Sequence, residues 1–541
     1  MSAEAFPIVN DLLVDPLTVT DGQLTRSDAP GLGIELNMKV VEQLRMADRL
    51  TLPDGIYCDT IWGNDYFPST VPGKRIIDLI YVHKENTMPR PKLLNDDQMR
   101  DFVVNGYVTL QTDFPTEFHD KIYQQAMTIF EKEGNPNNDI YPKIPQVADV
   151  FGHASVDGVL TSILGPGYVM HPHRHCHLTP PGKKPQDNHK DSYEADENVH
   201  HHRTRWAMAF YYPQDVPIEL GPSTVRPASQ YYNTQAQAER HDEVLLTGKA
   251  GTVTVVHYDL WHRASANIGQ KSRFMMKFLF CRMQEPQKPS WNSGDATWHA
   301  PSNGSITRRD QASLWQQMWK WHRGIAHGES SQPSEDLAII TEWIAALHDV
   351  SEAVRLDAAY ALGGSGAAAV PAVLEALVTE AEAAGEAYLN AAHTNPSETY
   401  AGYALAAIGG PAVPALIDTL GAEQWWLRAS AADILGDIGQ PAGDAVPALR
   451  KALADESKWV RRNATEALGT IGSAAQAAVP ALVEVLKHDE QAHIRHNAAL
   501  ALAKIGHSAR DAAPALQAAQ QDDDLYVRGN SAIALRRIAA A

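Results

Sequence analysis

Apolar positions recur at helical spacing from residue 94 to residue 133, and beyond residue 170 the spacing changes to strand-like alternation. Asn95 or Asp96 caps a first helix through Met99, Phe102 and Val103, and residues 106–110 read as the strand that follows it. Phe118, Ile122, Ala126 and Ile129 then fall at intervals of three or four, the core-facing stripe of a second helix over about 115–133. The run 171–177 places His171, His173, His175 and His177 on one side of a strand that lines the interior of a barrel. Strand-length apolar runs also cover 206–212, 251–257 and 272–283, and the last two are expected to pair as a hairpin. Past Cys281 the chain turns polar and Pro-rich, then forms one amphipathic helix around 310–325 carrying Trp315, Trp319 and Trp321.

From residue 335 the pattern is periodic. Val354-Arg355, Leu427-Arg428, Val460-Arg461, Ile494-Arg495 and Val527-Arg528 each open an Ala-rich run. Most runs end at a glycine (Gly363, Gly439, Gly472, Gly506), and Pro371, Pro447, Pro480 and Pro514 follow. The interval is 33 residues from Pro447 to Pro480 and 34 from Pro480 to Pro514, the period of a two-helix repeat. Glycine supplies the left-handed position that ends the first helix, proline suits the first turn of the second, and alanine lets neighbouring helices approach closely. The recurring arginines are expected to bridge successive turns, and Trp425, Trp426 and Trp459 are candidate anchors for a protein partner. The intervals are less regular near 383–414.

Four segments result: an irregular N-terminal extension over 1–92 with one plausible helix at 35–48, a globular domain over 93–326, a linker over 327–334 and the repeat array over 335–541. Within the extension, residues 28–37 and 53–57 resemble the C-terminal tail of sugar-acid dehydratases of the enolase superfamily, but no barrel or catalytic set accompanies them.

Composition narrows the class. At 541 residues, 44% hydrophobic and 21% charged, the chain is expected to form two or more soluble globular domains. A net charge of −19 argues against nucleic-acid backbones and anionic membranes as partners. The three cysteines, Cys58, Cys176 and Cys281, form neither a disulfide framework nor a Cys-x-x-Cys site, which fits a reducing cytoplasm. The N-terminus lacks the pattern of an export signal, and no segment is expected to span a membrane.

Candidate chemistry centres on residues 188–193. On an extended strand His189 and Asp191 share a side while Lys190 points away, so an imidazole and a carboxylate can bind one face of a metal. His262, after the 251–257 run, supplies the third ligand of a two-histidine, one-carboxylate triad, with His257 as the alternative. Arg273 stands eleven positions on, where a guanidinium can grip a carboxylate beside the metal. The four-histidine strand is read as lining the site, residues 200–202 as an exposed loop, and Trp206 as a wall of the co-substrate pocket.

His189-x-Asp191, Trp261-His262 and Arg273, with the Gly-Pro-rich segment 221–227 between them, resemble the phytanoyl-CoA dioxygenase-like family of oxygenases. The chain departs from that pattern at Ala228-Ser229-Gln230, where many members carry Gly-Ser-His. The resemblance implies a multidomain protein: a double-stranded β-helix (jelly-roll, cupin-like) oxygenase domain with flanking helices, followed by an all-α solenoid. It implies Fe(II) held by His189, Asp191 and His262, with 2-oxoglutarate and O2 as co-substrates and the distal carboxylate of 2-oxoglutarate on Arg273. Succinate and CO2 would be released as a small-molecule substrate is oxidised. Asp191 favours hydroxylation, because halogenating relatives lose this carboxylate. The block 460–472 is similar to HEAT-like repeats of the phycobilisome-lyase type, which implies a scaffold for protein contact. The alternative function is a repeat scaffold, or an oxygenase that modifies a protein the repeats recruit.

Overall fold

A computed structural model describes residues 19–20, 23–24, 90–191, 201–301, 311–325, 336–390 and 395–540. The helix expected at 35–48, the dehydratase-like tail, Cys58 and the linker at 327–334 lie outside the described residues. The chain divides into two compact units, 1–56 and 57–541. In the first, Val19–Thr20 pairs antiparallel with Gln23–Leu24. The second holds a sheet-rich domain and the helical repeats together.

Helix α1 (Asp96–Asn105) opens on a capping box. Asn95 Oδ1 accepts from the Gln98 amide at 2.9 Å, and Gln98 Oε1 accepts from the Asn95 amide at 3.0 Å. Helices α2 (Thr116–Glu133) and α3 (Ala154–Leu164) bury Ile122, Ala126, Leu160 and Ile163 against one face of the main sheet.

That sheet contains β1 (Tyr107–Gln111), β2 (Val169–Thr179), β3 (Trp206–Tyr211), β6 (Thr252–His257) and β8 (Arg273–Cys281) in the order β1-β6-β3-β8-β2. A second sheet contains β4 (Ser223–Val225), β5 (Val244–Leu245) and β7 (His262–Ala264) in the order β5-β4-β7. Every ladder is antiparallel. The hairpin expected between 251–257 and 272–283 does not form: β3 lies between β6 and β8, and the connecting segment contributes β7 to the other sheet. Alternation on β8 positions the site. Phe274, Met276, Phe278 and Phe280 join the core beneath α2 and α3, where Phe278 meets Phe151 at 4.7 Å between ring centroids. Arg273, Met275 and Lys277 therefore point to the opposite face.

After helix α4 (Ala312–His322), the repeats stack six inner helices in a row: α5 (Glu352–Leu362), α6 (Tyr400–Ile408), α7 (Trp425–Ile438), α8 (Lys458–Ile471), α9 (Ala492–Ile505) and α10 (Leu525–Ala539). Left-handed glycines end four of them, at Gly409, Gly439, Gly472 and Gly506. The first unit differs: Gly363 is right-handed at φ −54° and the positive φ falls on Gly366. Three of the five repeat arginines bridge as expected, whereas Arg355 stands over the Tyr400 ring and Arg528 donates to the Asp522 and Asp523 carbonyls just before its own helix. Arg428 pairs with Asp455 at 2.7 Å, Arg461 with Asp489 at 2.8 Å and Arg495 with Asp522 at 2.8 Å.

Two expectations fail here. Trp459 is 4% exposed and packs on Ala429 and Val460, so it is not a free anchor. Two helical stretches, Glu352–Ala383 and Lys458–His488, are long and apolar enough to cross a membrane by length and composition. Each is interrupted by a 3-10 turn, Gly363–Ala369 and Gly472–Ala478, and half of its apolar window is buried inside the protein.

Candidate metal and anion site

Backbone pairing sets the two imidazoles side by side. His189 and His262 form an isolated antiparallel bridge, each amide donating to the other's carbonyl at 3.0 Å, and their ring centroids are 4.6 Å apart. Asp191, two residues on, lies with one oxygen 4.0 Å from His189 Nε2 and the other 3.8 Å from His262 Nε2. One ligand atom from each of the three residues falls within 4.8 Å of the others, the only such group among the described residues.

Hydrogen bonding selects the tautomer. His189 Nδ1 is 3.0 Å from the Asp187 carbonyl and His262 Nδ1 is 2.9 Å from the Leu260 carbonyl. A carbonyl only accepts, so each ring carries its proton on Nδ1 and leaves Nε2 with a free lone pair. Burial pushes His262 down to about 4 against the opposing pull of Asp191, so this imidazole is neutral at pH 7. Burial alone would raise the Asp191 carboxyl, yet Lys277 and His262 hold it well below the usual carboxylate range. Two imidazole nitrogens on one cavity wall, with a carboxylate within 4.0 Å of both, fit a divalent metal with open positions.

The cavity has a volume of about 290 Å³ and is lined in part by His189, His262, Arg273, Lys277 and His177. Arg273 is fully buried. Its Nε and Nη2 donate to the Gly221 carbonyl at 3.1 and 2.8 Å, whereas Nη1 is buried with no partner. A guanidinium held on one edge, with an unused donor beside two imidazoles, fits an incoming carboxylate.

The structure separates the other expected residues from this centre. His257 is buried elsewhere, its Nδ1 3.7 Å from Asp259. Trp206 does not line the cavity; it sits in the core, edge-on to His171 at 5.2 Å. Of the four strand histidines, His177 lines the cavity with a buried, unpartnered Nε2, and burial holds its pKa well below the ordinary value. Lys190 turns away, its ammonium 5.6 Å from the Trp261 ring. Ala228, at the departure from the family pattern, adopts φ 62°.

Two features escaped sequence reasoning. Lys277 Nζ lies 2.6 Å from Asp191 Oδ2, inside the cavity. Its position two residues after Met275 and four after Arg273, on the same face of the strand, was the available signal. The expected exposed loop at 200–202 is instead buried where described. His201 lies 3.7 Å from both Asp433 and Asp437, and His202 Nδ1 lies 2.7 Å from Tyr360 Oη. Those partners belong to repeat helices, so the inner row packs on the sheet domain.

Residues 106–275 match the family model described as phytanoyl-CoA dioxygenase (PhyH). Residues 413–479 and 446–536 match HEAT repeats, and 354–379 match the PBS lyase HEAT-like repeat. Among solved structures, the non-heme alpha-ketoglutarate-dependent carbocyclase SnoK from nogalamycin biosynthesis is 18% identical, covering 36% of this chain and 88% of its own, with a TM-score of 0.31. EctD from S. alaskensis with 2-oxoglutarate and 5-hydroxyectoine is 19% identical, covering 37% and 80%, with a TM-score of 0.32. No curated protein matches the chain.

Proposed function

We propose, for a chain whose residues 106–275 form a phytanoyl-CoA dioxygenase-family domain and whose C-terminal part is an array of HEAT-like repeats, the hydroxylation of a C–H bond in a small-molecule substrate. In this reading His189, Asp191 and His262 hold Fe(II), and Arg273 binds the distal carboxylate of 2-oxoglutarate. When bound, iron and 2-oxoglutarate together supply the activation of O2 and the release of succinate and CO2. The chain's own residues orient and insulate: the Leu260 and Asp187 carbonyls fix the imidazole tautomers, and the Gly221 carbonyl holds one edge of the guanidinium.

The observation that carries the reading is the juxtaposition of two imidazoles and the unpartnered Nη1 of Arg273 along one cavity, with the Asp191 carboxylate within 4.0 Å of both imidazole Nε2 atoms. Fe(II) and 2-oxoglutarate added without oxygen should produce a visible metal-to-ligand charge-transfer band. Oxygen should then release succinate, and screening metabolite pools for stimulation of that release should find the substrate. Asp191→Ala should abolish both signals and leave the far-ultraviolet helical signal of the repeats intact; succinate release that survives this change refutes the ligand assignment.

A protein partner recruited by the repeats would meet the outer helices, because Tyr360, Asp437 and Tyr526 of the inner row are already in contact with the sheet domain.

A further inference from the structure

A second cavity, of about 520 Å³, opens where the segment after β8 meets the C-terminal ends of α8, α9 and α10. Its wall includes Arg282, Lys504 and Arg537, and at its rim Gln287 Nε2 donates to Gln440 Oε1 at 3.0 Å. Arg282 is 3% exposed and Lys504 is 9% exposed. Buried cations in folded proteins are normally paired with anions. Arg282 and Lys504 are not, and neither is the half-buried Arg537 beside them.

Arg282 donates to the Ile163 carbonyl at 2.6 Å and lies 5.0 Å from the Trp321 ring; Arg537 donates to the Ala503 carbonyl at 2.9 Å. Among the described residues, no carboxylate lies within ion-pairing distance of any of the three. The acid in the wall, Glu285, is committed on both oxygens to Arg205, at 2.8 and 3.0 Å. Glu466, whose charge reaches Lys504, is hydrogen-bonded by Arg462.

Helix dipoles account for part of this charge. Lys504 and Arg537 stand in the last turns of α9 and α10, where carbonyl ends supply roughly half a negative charge each. Arg282 is on no helix. Three full charges against three half-charges at the ends of α8, α9 and α10, with Glu285 and Glu466 each bound to another arginine, leave an excess of positive charge, in a chain whose net charge is −19. Burial also lowers the pKa of Arg282, to about 10, and that of Arg537, the direction expected of cations short of a counter-charge.

We propose that this cavity is a binding site for a small, multiply charged oxoanion, a phosphate- or carboxylate-bearing metabolite, held by Arg282, Lys504 and Arg537 between the sheet domain and the last repeats. The cavity volume suits a metabolite rather than a single chloride. A ligand there touches both parts of the molecule, so its occupancy raises the melting temperature of the assembled chain.

The test is calorimetric titration of the full chain, in phosphate-free buffer, with inorganic pyrophosphate and separately with citrate. Binding of one probe is expected, and the probe that binds identifies the phosphate or the carboxylate class. Lys504→Met and Arg537→Gln should each weaken it by about tenfold, the worth of one charge-assisted contact. Ser473→Asp places a carboxylate at an exposed point of the same wall and should weaken binding similarly without disturbing the buried cluster. Arg273→Met, which removes the buried guanidinium of the other cavity, should leave the affinity unchanged. No binding of either probe overturns the proposal, as does affinity that is lost in Arg273→Met or untouched in the cavity variants.

Discussion

Lys277 and Asp191 form a buried ion pair of 2.6 Å inside the candidate metal site, with side chains 8% and 11% exposed. In the metal-free protein the ammonium is the counter-ion of a carboxylate that also faces two imidazoles. Removing it by Lys277→Met leaves a buried charge uncompensated, a change that costs about 3 kcal/mol. A divalent cation restores the balance. The rise in melting temperature on adding Co(II) or anaerobic Fe(II) should therefore be larger in Lys277→Met than in the wild type, measured by differential scanning calorimetry without turnover. An equal or smaller rise would mean that Lys277 serves mainly to orient Asp191.

The array is fastened to the sheet domain by charge. Arg205 donates to Asp437 at 2.7 Å and to Glu285 at 2.8 Å, with Arg203 3.6 Å from the same Asp437 oxygen. Asp437 is 8% exposed, and Arg203 and Arg205 hold its carboxyl far below the ordinary range despite its burial. Asp437→Ala strands the buried Arg203 guanidinium and leaves Arg205 with Glu285 alone, and should destabilise the chain by about 3–5 kcal/mol, with faster amide exchange along 201–205. The exposed pair Lys249–Asp215, 2.9 Å apart at the surface, is the comparison: Asp215→Ala should cost under about 1 kcal/mol. Similar losses at both sites would contradict the fastening role.

Much of this molecule was legible from pattern. The repeat array announces itself because each unit reuses the same Arg, Gly and Pro positions to solve the same packing problem. His189, Asp191 and His262 stand out because the chemistry needs those residue types at that spacing. The docking between the two parts was not legible. His201, His202, Arg203 and Arg205 form a run of polar residues that normally signals solvent, and the groups that bury them, Tyr360, Ala406 and Asp437, lie 158 to 232 positions away. Lys277 was hidden differently, as one of three charges in the otherwise apolar run 272–283, where its period-two register with Arg273 carries the information. The hairpin between β6 and β8 failed because adjacency in sequence does not reveal a third strand inserted between two others.

The last repeat rests on β2 at a glycine. A Cβ on Gly529 would lie 2.2 Å from Cγ of Pro172, a ring atom with little freedom to retreat. One turn away, Tyr526 Oη meets His173 Nδ1 at 3.0 Å and the Tyr526 ring stacks on His171 at 5.6 Å between centroids. Gly529→Ala improves helix propensity by about 1 kcal/mol, so an isolated helix would gain. Overpacking at the contact costs about 1–3 kcal/mol and should win. A lower melting temperature with faster amide exchange in α10 is expected; a stabilised protein would show that the contact with β2 is loose.

Glu380 provides a pH dependence away from both cavities. Burial pushes its carboxyl up to about 7, against the pull of the Tyr400 and Ala401 amides and of Arg355. Between the unfolded value of 4.5 and about 7 the folded chain holds a proton that the unfolded chain has lost. Stability from this group is therefore present at low pH and falls as pH rises through that window. The loss is on the order of 2–3 kcal/mol, because two and a half pKa units are at stake at about 1.4 kcal/mol each and the group is not wholly buried. Glu380→Gln keeps the shape and removes the titration. Denaturation of both proteins from about pH 5 to about pH 8 should show the variant gaining on the wild type as pH rises, and a constant difference across that range would place the Glu380 carboxylate in a better-solvated environment than the structure gives it.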